Sequence, residues 1–222
     1  MIEFTIIKQK RKTAKIEVDN SLQVIIKVPM RMTKRQIEQL IASHHEWIET
    51  TVRRKREFIM TQDWYYSGRL LFKGKYWNVE RKSTSFDNFG IDFSDKGFII
   101  VSDGSEKMER QLVANYFRNS AREELSELVK FYAEKLGVEY HKITIRNQAT
   151  RWGSCSSKGN LSFNLRIMCA PKEMIEYVVL HEVMHLKHFN HSQAFWSAIE
   201  EIMPNYKECV NYFKQYGQNF MI

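Results

Sequence analysis

A chain of 222 residues in which 43% are hydrophobic and 13% aromatic carries enough apolar material for a packed core, which excludes a disordered or fibrous protein and leaves one large domain or two small ones. Its three cysteines, Cys155, Cys169 and Cys209, are odd in number and lack CxxC spacing, so a disulfide framework and a zinc knuckle are both disfavoured and a reducing compartment fits. The net charge of +8 is concentrated in KQKRKTAK (8–15) and RRKR (53–56), where it would attract nucleic acid or another anionic surface and equally suits a solvated basic face.

The first residues, MIEFTIIKQK, lack the basic flank and long apolar region of a secretory signal. No apolar run approaches the roughly 18 residues needed to span a bilayer. These features predict a soluble, cytoplasmic protein without membrane insertion. Residues 13–28 then read as two strands, TAKIEV and LQVIIKV, joined through Asp19-Asn20-Ser21 and ended by Pro29. Thr33 with Gln36 forms a capping-box pattern, and Ile37, Leu40, Ile41, His44, Ile48 and Val52 recur at helical spacing, which predicts one helix over about 34–59. His44 and His45 on that helix have no partner motif and read as structural.

From Trp64 to Val101 the pattern changes to short aromatic and β-branched runs, RLLFKGKYWNVERK, IDF and GFIIV, expected to form an antiparallel meander with a tight turn at Gly74. Glu106 opens a long helix whose apolar stripe includes Val113, Phe117, Leu125 and Val129 and which Gly137 ends. Two strand-like runs, KITIRNQ (142–148) and NLSFNLRI (160–167), bracket the polar loop ATRWGSCSSKG. Pro171 and Glu173 then open a helix. HSQAFWSAIEEIM and YKECVNYFKQY read as two more helices separated by Pro204. The whole predicts an α+β fold: a β-rich accessory lobe over 1–105 with its single helix, and a second, mainly helical domain with a small sheet over 106–222.

The helix after Pro171 runs into YVVLHEVMHLKHFNH (177–191), which holds four of the seven histidines in eleven positions. Within HEVMH, His181 and His185 are four apart, so on a helix they leave one face a turn from each other and reach a single divalent ion. Glu182 projects about 100° further round, where a carboxylate can take a proton from water at the metal without being a ligand. His191 is the expected third ligand. On a continuous helix it would stand about 15 Å along the axis from His181, so coordination requires the chain to turn back near Phe189-Asn190, with Asn190 as a left-handed pivot and Ser192 capping the next helix. His188, Glu200 and Glu201 compete for the third place, but His188 would crowd a helix face already in use. A histidine surface without a native metal is the bland reading of the cluster.

RWGSCSSKGNLSFNLRIMCAP (151–171), IEYVVLHEVMHLKHFNHSQAFW (175–196) and MPNYKE (203–208), with weaker support from IIKVPMRMTKRQIEQLIASHHEWI, make the sequence resemble the YgjP-like metallopeptidases, relatives of the SprT-like and WLM proteases of the zincin class. The resemblance covers nearly the whole chain. It implies a zincin-like second domain, His181, His185 and His191 as zinc ligands and Glu182 as general base. The family often has Trp where this chain has Leu165. The histidine spacing also equals that of the metzincins, but their glycine between the second and third ligands is His188 here, so that class is not assigned.

In the resembled family the RWGSCS loop lies near the metal. This makes Arg151 a candidate for holding a substrate carboxylate, phosphate or oxyanion, and an equally good candidate for locking the loop together with Trp152. Asn164 and Arg166, on the strand before the active-site helix, are candidates for binding extended substrate, against a purely internal hydrogen-bonding role. Cys155 has no paired base and reads as packing. The expected function is zinc-dependent peptide hydrolysis, with a protein or peptide substrate. The alternatives are a metal-dependent nucleoside triphosphate pyrophosphohydrolase and a non-enzymatic, nucleic-acid-associated module with structural zinc.

Overall fold

The structure, a computed structural model, describes residues 4–19, 22–85, 88–148, 150–220 and 222. It divides into two compact units, Met1–Gln62 and Asp63–Ile222. Among the described residues no helix is long and apolar enough to cross a membrane.

In the first unit strands β1 (Phe4–Gln9), β2 (Lys15–Val18) and β3 (Val24–Pro29) form a sheet in the order β1-β3-β2. β3 runs parallel to β1 and antiparallel to β2. Its alternation places Val24, Ile26 and Val28 inward against Ile37, Ile48 and Val52 of the helices that follow. Asn20 and Ser21 of the expected turn lie outside the described residues, while the Asp19 carboxylate accepts from the Gln23 N–H at 2.9 Å. The single helix expected over 34–59 is two, α1 (Lys34–Ser43) and α2 (His45–Gln62). The capping box at Thr33 and Gln36 is present. The break falls where the Ser43 hydroxyl and the His44 ring Nδ1 both donate to the Leu40 carbonyl, at 3.0 and 2.9 Å, and compete with the helical ladder. This unit holds 13 lysines and arginines against 7 aspartates and glutamates, six of the chain's eight surplus positive charges.

The second unit opens with a helical turn, α3 (Trp64–Ser67), and strands β4 (Arg69–Phe72), β5 (Lys75–Ser83), β6 (Gly90–Ser94) and β7 (Gly97–Ser102), ordered β4-β5-β7-β6. The expected antiparallel meander is corrected here, because β5 pairs with β7 in parallel and β6 lies at the outer edge. Burial explains the swap: GFIIVS is almost continuously apolar and suits an interior strand, whereas GIDFS carries Asp92 and suits an edge.

The 31-residue helix α4 (Glu106–Leu136) follows, ended by left-handed Gly137. Its residues Val113, Phe117, Ala121, Leu125 and Val129, spaced by four, are fully buried. They join Phe98 and Ile100 of β7 and the residues around the histidines in one core. The compact division therefore falls at 62/63, whereas the sequence suggested 105/106. Two polar ties reinforce the join: Glu109 accepts from Arg81 at 2.7 Å and from Ser102 at 3.1 Å, and Arg110 pairs with Asp63 at 2.9 Å. The β4–β5 hairpin tip also docks on the turn before the histidine helix, where the Gly74 N–H donates to the Cys169 carbonyl at 2.9 Å. A Cβ on Gly74, at φ 78°, would lie 2.8 Å from Pro171.

Strands β8 (Lys142–Arg146), β9 (Gly153–Cys155) and β10 (Asn160–Asn164) form the third sheet, ordered β8-β10-β9. A 3-10 turn, Leu165–Cys169, leads into α5 (Lys172–Met184), followed by α6 (Gln193–Ile202) and α7 (Tyr206–Tyr216). Each of the three sheets mixes parallel and antiparallel pairs within an α+β fold.

Candidate metal centre

Helix α5 stops at Met184, and His185 stands at its C-terminal cap with φ −64° and ψ −16°. The chain then reverses through bonds three residues long: the Leu186 and Lys187 N–H groups donate to the Val183 and Met184 carbonyls, each at 3.0 Å. The reversal expected near Phe189-Asn190 is thus present, but the left-handed pivot is not. The only non-glycine residues with positive φ among those described are Leu22 and Lys73. Asn190 works instead through its side chain, whose Oδ1 accepts from the Ser192 N–H at 3.2 Å in an Asx turn. Ser192 occupies the N-cap position of α6 without a side-chain cap bond.

The reversal brings His191 back to His181 and His185. Its Nε2 lies 3.0 Å from Nε2 of His181 and 3.2 Å from Nε2 of His185. Three nitrogens about 2.1 Å from one ion in tetrahedral directions lie roughly 3.4 Å apart, so the cluster has close to the span of a shared metal site. The tautomer of His185 agrees with that use. The Nδ1 of His185 faces the His188 carbonyl at 3.0 Å and must donate to it, which leaves the Nε2 lone pair pointing into the cluster. Burial, then His185 and His191, push the His181 ring down to about 3, and burial and His185 lower His191, so both rings are neutral at ordinary pH as ligation requires. Three imidazole nitrogens gathered within reach of one point are a donor set that fits a divalent metal. The rivals are placed elsewhere: His188 contributes its backbone carbonyl, and Glu200 pairs with Lys207 at 3.3 Å. Behind the rings Phe195 stacks on His185 at 4.7 Å and Trp196 on His191 at 5.4 Å, a backing the sequence showed only as part of HSQAFW.

Glu182 is 7% exposed, and burial pushes its carboxyl up to about 7 against the opposing charge of Arg151. It packs on β9, where a Cβ at Gly153 would lie 2.7 Å from its Oε1 and 2.6 Å from its Cγ. Only glycine leaves room for the carboxylate. Gly153 sits in the RWGSCS loop, but a residue that matters by lacking a side chain leaves no trace in the spacing of the ligands. Gly153→Ala is expected to lower peptide hydrolysis roughly 10- to 100-fold, because a misplaced base costs about that much, with metal content unchanged; steady-state kinetics paired with metal analysis checks it.

Glu182, His181, Gly153 and Arg151 share a cavity of about 280 Å³ with apolar side chains of α5 and α7. Arg151 is exposed at this cavity. Trp152 is the lock of the loop: it packs on Phe213 and Phe220, ring centres 5.2 and 5.3 Å away, and a Cβ on Gly217 would meet it at 2.7 Å.

Asn164 and Arg166 are not at the cavity. Asn164 is 2% exposed; its amide nitrogen donates to the Gln148 and Arg151 carbonyls at 2.7 and 2.9 Å and its oxygen accepts from the Arg166 N–H at 3.1 Å, so both of its donors are committed to holding the loop. Arg166 donates to the Asn147 side chain at 3.0 Å. Asn164 ends β10, which is paired on both sides, and Arg166 lies in the 3-10 turn that follows; β9, which the sequence left inside a polar loop, is an edge of the sheet. Ala149 of that loop lies outside the described residues. The Cys155 thiol is pushed up to about 11 by burial and by Glu182, consistent with packing.

No curated protein matches the chain significantly. Among solved structures, the metallopeptidase zymogen abylysin of Pyrococcus abyssi aligns at 23% identity and a TM-score of 0.39, covering 44% of this chain and 99% of that one. The zymogen jannalysin of Methanocaldococcus jannaschii aligns at 21% identity and a TM-score of 0.37, over 41% and 88% respectively. Residues 12–216 match the YgjP-like metallopeptidase domain, and the chain accordingly belongs to the YgjP-like family: a metallopeptidase, acting with a divalent metal on protein or peptide.

Proposed function

We propose that this metallopeptidase uses zinc, held through Nε2 of His181, His185 and His191, with Glu182 as the general base of peptide-bond hydrolysis. The observation that carries the reading is the convergence of three imidazole nitrogens, with His191 at 3.0 and 3.2 Å from the other two, at the end of the helix that also presents a buried carboxylate. When bound, zinc supplies a Lewis acid for the scissile carbonyl and lowers the pKa of water toward 7. Three protein donors are the usual complement of catalytic zinc, whereas structural sites take four.

The protein's own groups do the rest. The His188 carbonyl fixes the tautomer of His185 and orients its ring. Glu182, poised near neutrality, takes the proton of the attacking water and returns it to the leaving amine. Arg151 at the cavity is placed to hold a peptide carbonyl or carboxylate oxygen. Among the described residues no strand pairs with the outer edge of β9, which suits it to receive an extended peptide.

Metal analysis and hydrolysis assays on the same preparation test this reading. The wild-type protein is expected to hold one zinc per chain and to cleave peptides. His191→Ala is expected to weaken zinc binding by more than the roughly 10- to 100-fold that follows loss of a supporting hydrogen bond. Hydrolysis of nucleoside triphosphates with no peptide cleavage would overturn the proposal in favour of phosphoanhydride chemistry. Full zinc retention by His191→Ala would remove that residue from the site.

A further inference from the structure

We infer that the 280 Å³ cavity beside Glu182 selects the substrate by taking one large apolar side chain of the peptide next to the bond that is cut. The inference rests on the peptidase reading above and adds a substrate class to it. Sites that enclose whole drug-sized ligands run from about 300 to 1,000 Å³, so this volume suits a single side chain. Its walls are Trp152, Tyr177, Val178, Val210 and Phe213, with Gly153 contributing bare backbone. Water is displaced favourably from such a wall only by an apolar group, since a polar one leaves its hydrogen bonds unmade.

The wall is also preformed. Trp152 is held between Phe213 and Phe220 against Gly217, and Tyr177 stacks on Tyr206 with ring centres 6.5 Å apart. A ligand entering it orders little that is not already ordered. Because His181 and Glu182 line the same cavity, a side chain seated there belongs to a residue adjoining the scissile bond. Arg151 places a cation on that cavity and disfavours lysine and arginine as occupants.

The experiment uses the zinc-loaded full chain and peptides that differ only at the two residues flanking the cleaved bond. At one of those positions kcat/KM is expected to be at least roughly 10-fold higher for Phe or Leu than for Ala or Lys, in line with the 10- to 200-fold that small changes of apolar fit produce in a preformed pocket. Val210 is half-buried on α7 and is the wall residue to alter. Val210→Trp fills the cavity and is expected to lower the Phe-to-Ala ratio at least tenfold. If circular dichroism shows that variant unfolded, Val210→Ala carries the test, with a ratio shifted toward the largest side chains. A parallel measurement follows the Trp152 indole signal by NMR during titration with N-acetyl-phenylalaninamide and N-acetyl-alaninamide, with a shift expected for the first at concentrations where the second has none. Peptide cleavage without side-chain preference, or a preference untouched by both Val210 variants, overturns the inference and leaves the peptidase reading standing. Selective binding of the phenylalanine probe without any peptide cleavage supports the pocket and counts against the peptidase reading. Neither cleavage nor selective binding overturns both.

Discussion

Glu182→Gln is expected to leave zinc content unchanged while lowering kcat/KM for peptides by roughly 10²- to 10⁴-fold, the usual contribution of a positioned general base. The substitution keeps the shape of a side chain that has no room to move, because Gly153 already lies against its Cγ and Oε1. It replaces an acceptor of protons with an amide that cannot take one. Glu182 is absent from the cluster of converging donors, so zinc retention is part of the expected result. Loss of zinc together with activity would make Glu182 a ligand. Activity within about threefold of wild type would assign the proton transfer to another group. The loss should appear in kcat more than in KM, since proton transfer to Glu182 occurs only on the way to the transition state.

The histidine cluster was legible because its logic is periodic. A four-residue spacing puts two rings on one face of a helix whatever surrounds it, and the third ring follows once the chain is required to reverse. How the chain reverses was not legible. A left-handed asparagine and an Asx turn satisfy the same endpoints, and nothing in LKHFNHS distinguishes them without knowing that α5 already ends at Met184. Asn164 failed as a substrate-binding candidate for a related reason. A polar residue at the end of a strand reads alike whether its amide faces solvent or, as here, is committed to the carbonyls of residues 148 and 151.

Elements of short reach were hidden as well. β9 is three residues, Gly-Ser-Cys, inside a polar stretch, and its importance lies in the absence of a side chain at Gly153. The parallel pairing of β5 with β7 depends on which strand tolerates an open edge, a property of the finished sheet. The division at 62/63 likewise depends on long-range burial that joins Phe98 to Phe117 and both to the α5 core, which local pattern does not report.

In the metal-stripped protein, the stability difference between Glu182→Gln and wild type is expected to change by roughly 2–3 kcal/mol between pH 5 and pH 8, in favour of the variant at the higher pH. Burial raises the Glu182 carboxyl from its ordinary 4.5 to about 7, so between those values the native state binds more protons than the unfolded state. Stability contributed by this group is therefore present at low pH and lost as pH rises through 7, by about 1.36 kcal/mol for each pH unit that separates the native from the unfolded pKa. His181 acts with the opposite sign. Its ring is lowered from 6.5 to about 3, so the unfolded chain takes up a proton below 6.5 that the native state refuses, and stability is lost as pH falls. The two slopes overlap and partly cancel in the wild type, which would present a deceptively flat profile. Glu182→Gln removes one of them and leaves the histidine slope exposed, so the variant should gain stability from pH 5 to about 6.5 and level off above it. Urea unfolding of both stripped proteins at several pH values measures the difference directly. A pH-independent difference would mean that the Glu182 carboxylate is ionised across the range and already compensated by Arg151, and the picture of a base held near neutrality by burial would fail with it.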